Sequence, residues 1–428
     1  MGLIRNAIVR NRAYTLADFD KDFVRHFYSG EPSKTGVLVN EDTAMKFNAV
    51  YACIRIISED MGMIPTELRR WRDPKNHSKG SDPAFDHPLY DVLMFQPSPE
   101  QHSMIFEETM QGHILSSGNA YALKSWNWRG QTSGLKLLNW ANIEPKRNEK
   151  TGLIEYHFDD RGKDVVFQFD EIFHIPGMGF DGVVGYSPIA MAREAIGLGM
   201  AAEEFAARFY GNGANVGAVV TIPNAVQDKQ ALKTEIDKKF VGLGKSHKVM
   251  FLEEGSEYHR IDMPLADAEF IATREFQDRQ IAMIYRMPLK MIQDYSKGGT
   301  YNNNEQQEMD YVKHTIMPWV VRWEQSIMTR LLTRYERAQG LFARFNIEEL
   351  LRADSKTRAD VNHLRRQDGV ITGNEWRAMD DMNPREEPEA DMLIVNGNMR
   401  NITVVNSTEP VSGQQFEQNK GGDGKEDE

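Results

Sequence analysis

At 428 residues the chain is longer than one compact core organises, so two or more domains are expected. Its 51 Lys and Arg against 63 Asp and Glu leave a net charge of −12. That balance argues against a sequence-specific DNA-binding module, which carries a basic face, but leaves room for a protein that meets DNA through few phosphate contacts.

The only cysteine, Cys53, rules out an internal disulfide. It lies in the apolar run Ala49-Val50-Tyr51-Ala52-Cys53-Ile54, where a buried, inert thiol is the expectation. Met1–Asn6 lacks a signal peptide's apolar stretch, and no uninterrupted apolar run approaches the length of a membrane span. A soluble protein of the reducing cytoplasm is expected.

In chain order, residues 1–40 are weakly patterned and read as an arm. From Thr43 to about Met63, Phe47, Val50, Tyr51, Ile54, Ile57 and Met61 recur at three and four, predicting an amphipathic helix. A short strand over Thr66–Trp71, a turn-rich loop to Pro83 and a short helix opening at His87-Pro88 follow. Ser103 to Ser117 predicts a longer helix with Ser103 as its cap. Five strand-like runs come next: Ala120–Trp126, Gly134–Leu138, Gly152–Phe158, Val165–Phe169 and Glu171–Ile175. Turn residues separate them, so this part is α+β and largely antiparallel.

Ser187 as N-cap and Pro188 at the first helical position begin a long helix ending near Tyr210. Its many alanines favour close approach of neighbouring helices. Residues 214–264 read as an α/β insert: strands at Gly217–Ile222, Lys248–Leu252 and Glu257–Ile261, and a helix at Gln227–Val241. A helix over Asp267–Tyr285 is followed by the polar loop Gln293–Asn304, with Tyr295, Lys297, Gly298, Gly299, Tyr301, Asn302 and Asn303. A mobile polar loop on a helical frame suits contact with something that moves or varies. A helix from about Asn304 to Ala338 follows. Met309, Val312, Ile316, Trp319, Trp323, Ile327 and Met328 form its apolar stripe, and Pro318 should kink it. Beyond a strand near Leu341–Ile347, short helices occupy 354–382 and a polar, disordered tail ends at Glu428.

Motifs for chemistry are weak. Gly244-Lys245-Ser246 fails as a P-loop, because Lys239 stands where the first glycine is required and no helix opens behind Ser246. Gly177, Gly179 and Gly182 satisfy G-x-G-x-x-G after a strand, but the helix starts only at Pro188, so a strand-to-helix connection is expected rather than a dinucleotide site. His174 reads as a half-buried strand residue. No metal site, nucleophile elbow, catalytic residue or cofactor is implied. Glu203, Glu204, Arg274, Glu275, Asp278 and Arg279 are either solvated helix faces or ion pairs between copies.

A set of collinear segments sharpens the reading. They are Ala49–Asp60, His87-Pro88-Leu89-Tyr90, Gly118-Asn119-Ala120-Tyr121, Gly185–Ile189, Ala192–Leu198, Arg208–Ala214, Phe251–Gly255, Tyr301–Gln307 and Met317-Pro318-Trp319. Together, over roughly 43–395, they resemble the portal proteins of tailed bacteriophages with siphovirus-type heads. The resemblance implies a ring, usually of twelve copies, at one capsid vertex of the virion, through which double-stranded DNA passes in packaging and ejection.

It also implies a portal fold. Residues 1–42 would be an N-terminal arm, 43–187 a wing, 188–213 and 266–290 stem helices, and 214–265 a clip. Residues 291–304 would be a tunnel loop, 305–352 a long kinked helix with a return strand to the wing, 353–395 a helical crown, and 396–428 an acidic tail. Lys297, Tyr295, Tyr301 and the asparagines would touch the DNA weakly. Lys245, His247 and Lys248 would face the packaging terminase and the head–tail connector. Glu203, Arg274, Glu275, Asp278 and Arg279 would lie between copies, and the major capsid protein would surround the ring.

Overall fold

The computed structural model describes residues 33–148, 150–179, 182–211, 218–221, 257–260, 267–292, 308–347, 355–380 and 382–394. The chain divides into two units, Met1–Leu351 and Arg352–Glu428.

In the first unit, α1 (Glu41–Ala44) and α2 (Asn48–Met63) lead into β1 (Thr66–Trp71) and β2 (Ser81–Pro83). Then come α3 (Pro88–Met94), α4 (Ser103–Ser117), β3 (Asn119–Trp126), β4 (Thr132–Leu138), β5 (Ile143–Arg147), β6 (Ile154–Asp160), β7 (Lys163–Gln168) and β8 (Ile172–Pro176). Helices α5 (Pro188–Met191) and α6 (Arg193–Gly211) precede a ribbon of β9 (Ala218–Thr221) and β10 (Glu257–Arg260). Helix α7 (Asp267–Tyr285), α8 (Met317–Arg330), α9 (Arg334–Ala338) and β11 (Leu341–Phe345) complete the unit. The strands pair antiparallel as β11–β1–β2, β4–β3–β8, β5–β6–β7 and β9–β10. The α+β, antiparallel expectation therefore holds.

The main core forms where α2 and α4 pack on the β3 sheet and on α8. Val50, Ile54, Ile57 and Met61 of α2 meet Phe106, Met110 and Ile114 of α4, and Trp323 and Ile327 of α8 close it. Trp323 is 1 % exposed, and its indole N–H donates to Gln111 Oε1 at 2.9 Å, so the large ring is buried without an orphaned donor. A smaller core of Tyr121, Leu138, Ile143, Ile154, Tyr156 and Ile172 holds the β5–β6–β7 sheet to the β3 sheet.

Several expectations are corrected. His102, not Ser103, caps α4, its ring nitrogen accepting from the Ile105 N–H at 3.4 Å, while the Ser103 hydroxyl turns back to Met94 O. The helix begun by Ser187 breaks at Ala192 into α5 and α6. The last long helix is interrupted twice. Val312–Ile316 is wound as a π-type turn just ahead of Pro318, which has no N–H to return to the carbonyl of His314. After Leu332 a new capping box, Thr333 with Glu336, starts α9. Of its predicted stripe, Val312, Ile316, Trp323 and Ile327 are buried, Trp319 and Met328 are half-buried and Met309 is exposed; Tyr51 of α2 is likewise exposed. Strands β2 and β5 were not anticipated. The insert's expected helix and its strand at 248–252 lie outside the described residues, as do residues 1–32 and 396–428.

The arm's last ten residues are also part of the packed unit. Val39 is buried, and Thr35 donates to Gly197 O at 3.2 Å. A Cβ on Gly197 would stand 2.4 Å from Ser33 Oγ, and one on Gly199 would stand 2.8 Å from the Phe47 ring. The smallest residues of α6 therefore admit this chain's own N-terminal segment.

The second unit, taken by itself, holds α10 (Ser355–Gln367) and α11 (Gly373–Met379). Thr372 and Glu375 form a capping box, and Arg366 donates to Ile371 O and Met392 O at 3.0 and 2.7 Å.

Candidate functional site: the helix pair and the loop base

Helices α6 and α7 pack against each other, and α7 also lies on α2 through buried Ile281, Ala282 and Tyr285. Tyr285 donates to Leu115 O at 3.3 Å. Away from that contact the pair turns apolar side chains outward: Leu198 and Phe205 on α6, and Phe276, Met283 and Ile284 on α7, are all exposed. Two of these are phenylalanines, and Phe276 stands beside charged Glu275.

The charged residues expected here fall together. Arg274 reaches Glu203 across the two helices at 4.0 Å, and Arg279 reaches Glu275 one turn away at 3.1 Å. Within one copy, four of the five residues are thus paired with one another at the surface, where each pair is worth about 0–1 kcal/mol. Asp278 lies close enough to Cys53 to act on it. Burial, helped by that carboxylate, pushes the Cys53 thiol up to about 12, so it carries no thiolate at neutral pH and is inert, as expected.

The polar loop with Tyr295, Lys297, Gly298, Gly299, Tyr301, Asn302 and Asn303 lies outside the described residues, as do Lys245, His247 and Lys248. The base of that loop is described. Lys290 Nζ, on the 3₁₀ turn leaving α7, stands 3.6 Å from Glu308 Oε1, where the chain returns. The side chains on either side of residues 293–307 are therefore brought together. Behind this latch, Thr315 donates to Arg286 O at 2.6 Å and Tyr311 donates to the Asp60 carboxylate at 2.6 Å. Arg286 holds a left-handed φ of 54°, the bend that redirects the chain out of α7. Lys290 and Glu308 were missed from sequence. Opposite charges flanking the loop were the available signal.

Two glycines of the G-x-G-x-x-G pattern, Gly177 and Gly179, prove to be structural. Gly177 N–H donates to Gly118 O at 2.7 Å. A Cβ on Gly179 would meet Val184 O at 1.9 Å, and one on Gly185 would meet Gly118 O at 2.1 Å. The space a phosphate needs is filled by backbone. Asn119 locks the crossing, donating to Gly185 O at 2.7 Å and accepting from Gly185 N–H at 2.8 Å. His174 sits in the same network, 3.1 Å from Asn119 Oδ1 and 3.2 Å from the Tyr156 hydroxyl. It is fully rather than half buried, and burial, with Arg330 nearby, pulls its pKa down to about 3. Arg322 Nη1 donates to Pro176 O and Gly177 O at 2.7 and 2.6 Å. Ser187 then caps α5, as predicted, and donates to Ser116 O at 2.6 Å. This clasp fixes where α5 and α6 leave the sheets. Among the described residues no metal-binding cluster occurs, and no helix is long and apolar enough to cross a membrane.

An antiparallel α+β body, a helix pair interrupted by a strand ribbon, and a loop latched at its base before a π-turned helix define a portal-type architecture. The sequence model described as Phage portal protein matches residues 48–381, and the chain belongs to that family. It is 30 % identical over 363 residues to the portal protein of Enterobacteria phage HK97, covering 84 % of this chain and 83 % of the relative. Among solved structures, an HK97-family phage portal protein from Corynebacterium diphtheriae superposes with a TM-score of 0.53 at 16 % identity, covering 73 % of this chain and 96 % of that one. A chain in the neck of a native gene transfer agent particle computed with C12 symmetry gives a TM-score of 0.50 at 18 % identity, covering 85 % and 94 %. The protein is a portal subunit at the capsid vertex of a virion, in a family whose role is structural.

Proposed function

We propose that copies of this chain close into a ring, of twelve in the family's usual arrangement, whose central channel conducts double-stranded DNA during packaging and ejection. The observation that carries this reading is the latched loop base beside an apolar, outward-facing helix pair. One feature presents a polar segment on a fixed mount, and the other is a surface left incomplete in a single copy. The loop residues Tyr295, Lys297, Gly298, Gly299, Tyr301, Asn302 and Asn303 line the channel and make weak, shifting contacts. The chain's net charge of −12 keeps the polyanion centred. Residues 43–187 act as wing, 188–213 and 266–290 as stem, 214–265 as clip and 353–395 as crown. Glu203, Arg274, Glu275, Asp278 and Arg279 meet the next copy. Lys245, His247 and Lys248 on the clip dock the terminase large subunit and later the head–tail connector, and the major capsid protein surrounds the wing.

The chain itself performs no catalysis, and an external ATPase drives translocation. The rejected P-loop reading and the backbone-filled glycine crossing support this.

Electron microscopy of the purified or capsid-coexpressed protein tests the reading. Closed rings with a channel wide enough for a B-form duplex are expected. A strictly monomeric protein under both conditions sinks it, and rings with a blocked centre remove the DNA role. Replacing Lys297 and Tyr301 with Ala should leave ring assembly intact and alter DNA retention. Loss of assembly would make the loop structural instead.

A further inference from the structure

Among the described residues nothing covers the tip of the β3–β4 hairpin. Trp128 is 86 % exposed, and the Arg129 guanidinium lies over its ring at 4.5 Å. The tip is held in shape. Asn127 Oδ1 accepts from the N–H groups of Arg129 and Gln131 at 2.9 and 3.0 Å, and its amide donates to Gln131 Oε1 at 3.0 Å. Gly130 takes the left-handed φ of 74° that the turn requires. Gln131 in turn donates to Glu336 Oε1 at 3.3 Å. Among the described residues Arg129 has no carboxylate partner. A preorganised Trp–Arg pair costs little side-chain freedom on docking, and these two residue types dominate interface hot spots.

At the other end of β4 is a partly open cavity of about 590 Å³ lined by Glu41, Asp42, His113, Leu137, Asn139 and Trp140. Its volume falls in the usual range of recognition pockets, about 300–1,000 Å³. Burial pulls the His113 imidazole down to about 4, so at neutral pH the two carboxylates set the cavity's charge. Glu41 accepts only a long contact, 3.4 Å, from Ser187, whose shorter bond goes to Ser116 O.

Tip and cavity are complementary in shape class and in charge. Strand β4, 7 residues long, separates them by on the order of 20 Å, so one copy cannot engage its own tip. The geometry points to a head-to-tail contact in which Trp128 and Arg129 of one copy enter the Glu41–Asp42–Trp140 cavity of the next. The same two patches repeat at every junction, which is the heterologous arrangement that closes into rings when the rotation permits. This contact rests on the ring reading above and deepens it by naming one of the surfaces that join the copies.

A cysteine pair tests it. Ser133, beside the tip, and Asn139, at the cavity, are both exposed, so Ser133→Cys with Asn139→Cys keeps the Trp128–Arg129 pair and disturbs no core, and buried Cys53 gives little background. With a short bis-maleimide, assembled protein should yield a ladder of covalent multimers, and each single variant should stay monomeric on a denaturing gel. Separately, Arg129→Glu or Asp42→Arg should raise the concentration at which rings form tenfold or more, and the double exchange should recover most of the loss. Rings that form but give no ladder, or a double exchange as weak as the singles, overturn this contact and leave the ring reading standing. Protein that is monomeric at every concentration overturns both.

Discussion

The glycine–asparagine clasp and the α6–α7 face make opposite use of polar groups. At the clasp, Gly118, Asn119, His174, Gly185 and Ser187 are buried and joined by short hydrogen bonds that leave no room for a side chain. On the helix face, Glu203, Arg274, Glu275 and Arg279 are about half exposed, and exposed Phe276 and Met283 sit among them. The first region is finished within one copy. The second leaves apolar side chains in water beside its charges. The contrast locates where single-copy stability resides and where assembly would draw its energy.

The steepest way to break that contrast is Gly118→Ala. Its φ of 85° is strained for any side chain, and the new Cβ would lie 2.3 Å from Tyr186 O. A loss of about 3 kcal/mol or more in denaturant unfolding is expected. Asn119→Leu comes next, leaving both backbone groups of Gly185 and the His174 ring without their partner. About 2–4 kcal/mol should be lost by the same measurement.

Acid provides a third probe. His174 titrates near 3 in the fold against an ordinary value near 6.5, so the unfolded chain binds more protons between those limits. Its contribution is fully present above about pH 6.5 and is lost as pH falls toward 3. The urea midpoint should therefore drop across that window, and less steeply in His174→Gln.

The smallest effect is the most discriminating. Arg274→Glu should change the unfolding free energy of one copy by less than about 1 kcal/mol, because the pair it breaks is solvated. If the same change weakens ring formation tenfold or more by sedimentation, the helix face is completed by another copy. If assembly is untouched, its charges serve only solubility.

Much of the frame was legible in the sequence because it follows local periodicity. Val50, Ile54, Ile57 and Met61 announced α2, and Ser187-Pro188 announced the start of α5. What escaped depends on distant neighbours. Histidine is an uncommon cap, so the role of His102 was invisible beside Ser103. Strand β5 carries Pro145 among alternating charges, a pattern that reads against a strand unless it is known to lie at an edge beside β6. The glycines of 177–185 look like a nucleotide loop until Gly118 is brought against them by the fold. At the candidate site, sequence brought out the charged helix residues but not that Arg274 and Glu203 would meet, nor that Lys290 and Glu308 would.

The latch at the loop base has a consequence for how such a protein can vary over time. With Tyr311 bonded to Asp60, Thr315 bonded to Arg286 O and Lys290 beside Glu308, the ends of the intervening segment are fixed by the frame rather than by the segment itself. Closing a longer loop between fixed ends is cheap, about 0.6 kcal/mol for each doubling of length. Changes of length or residue type between 293 and 307 should therefore leave the bonds of Tyr311 to Asp60 and of Thr315 to Arg286 O in place.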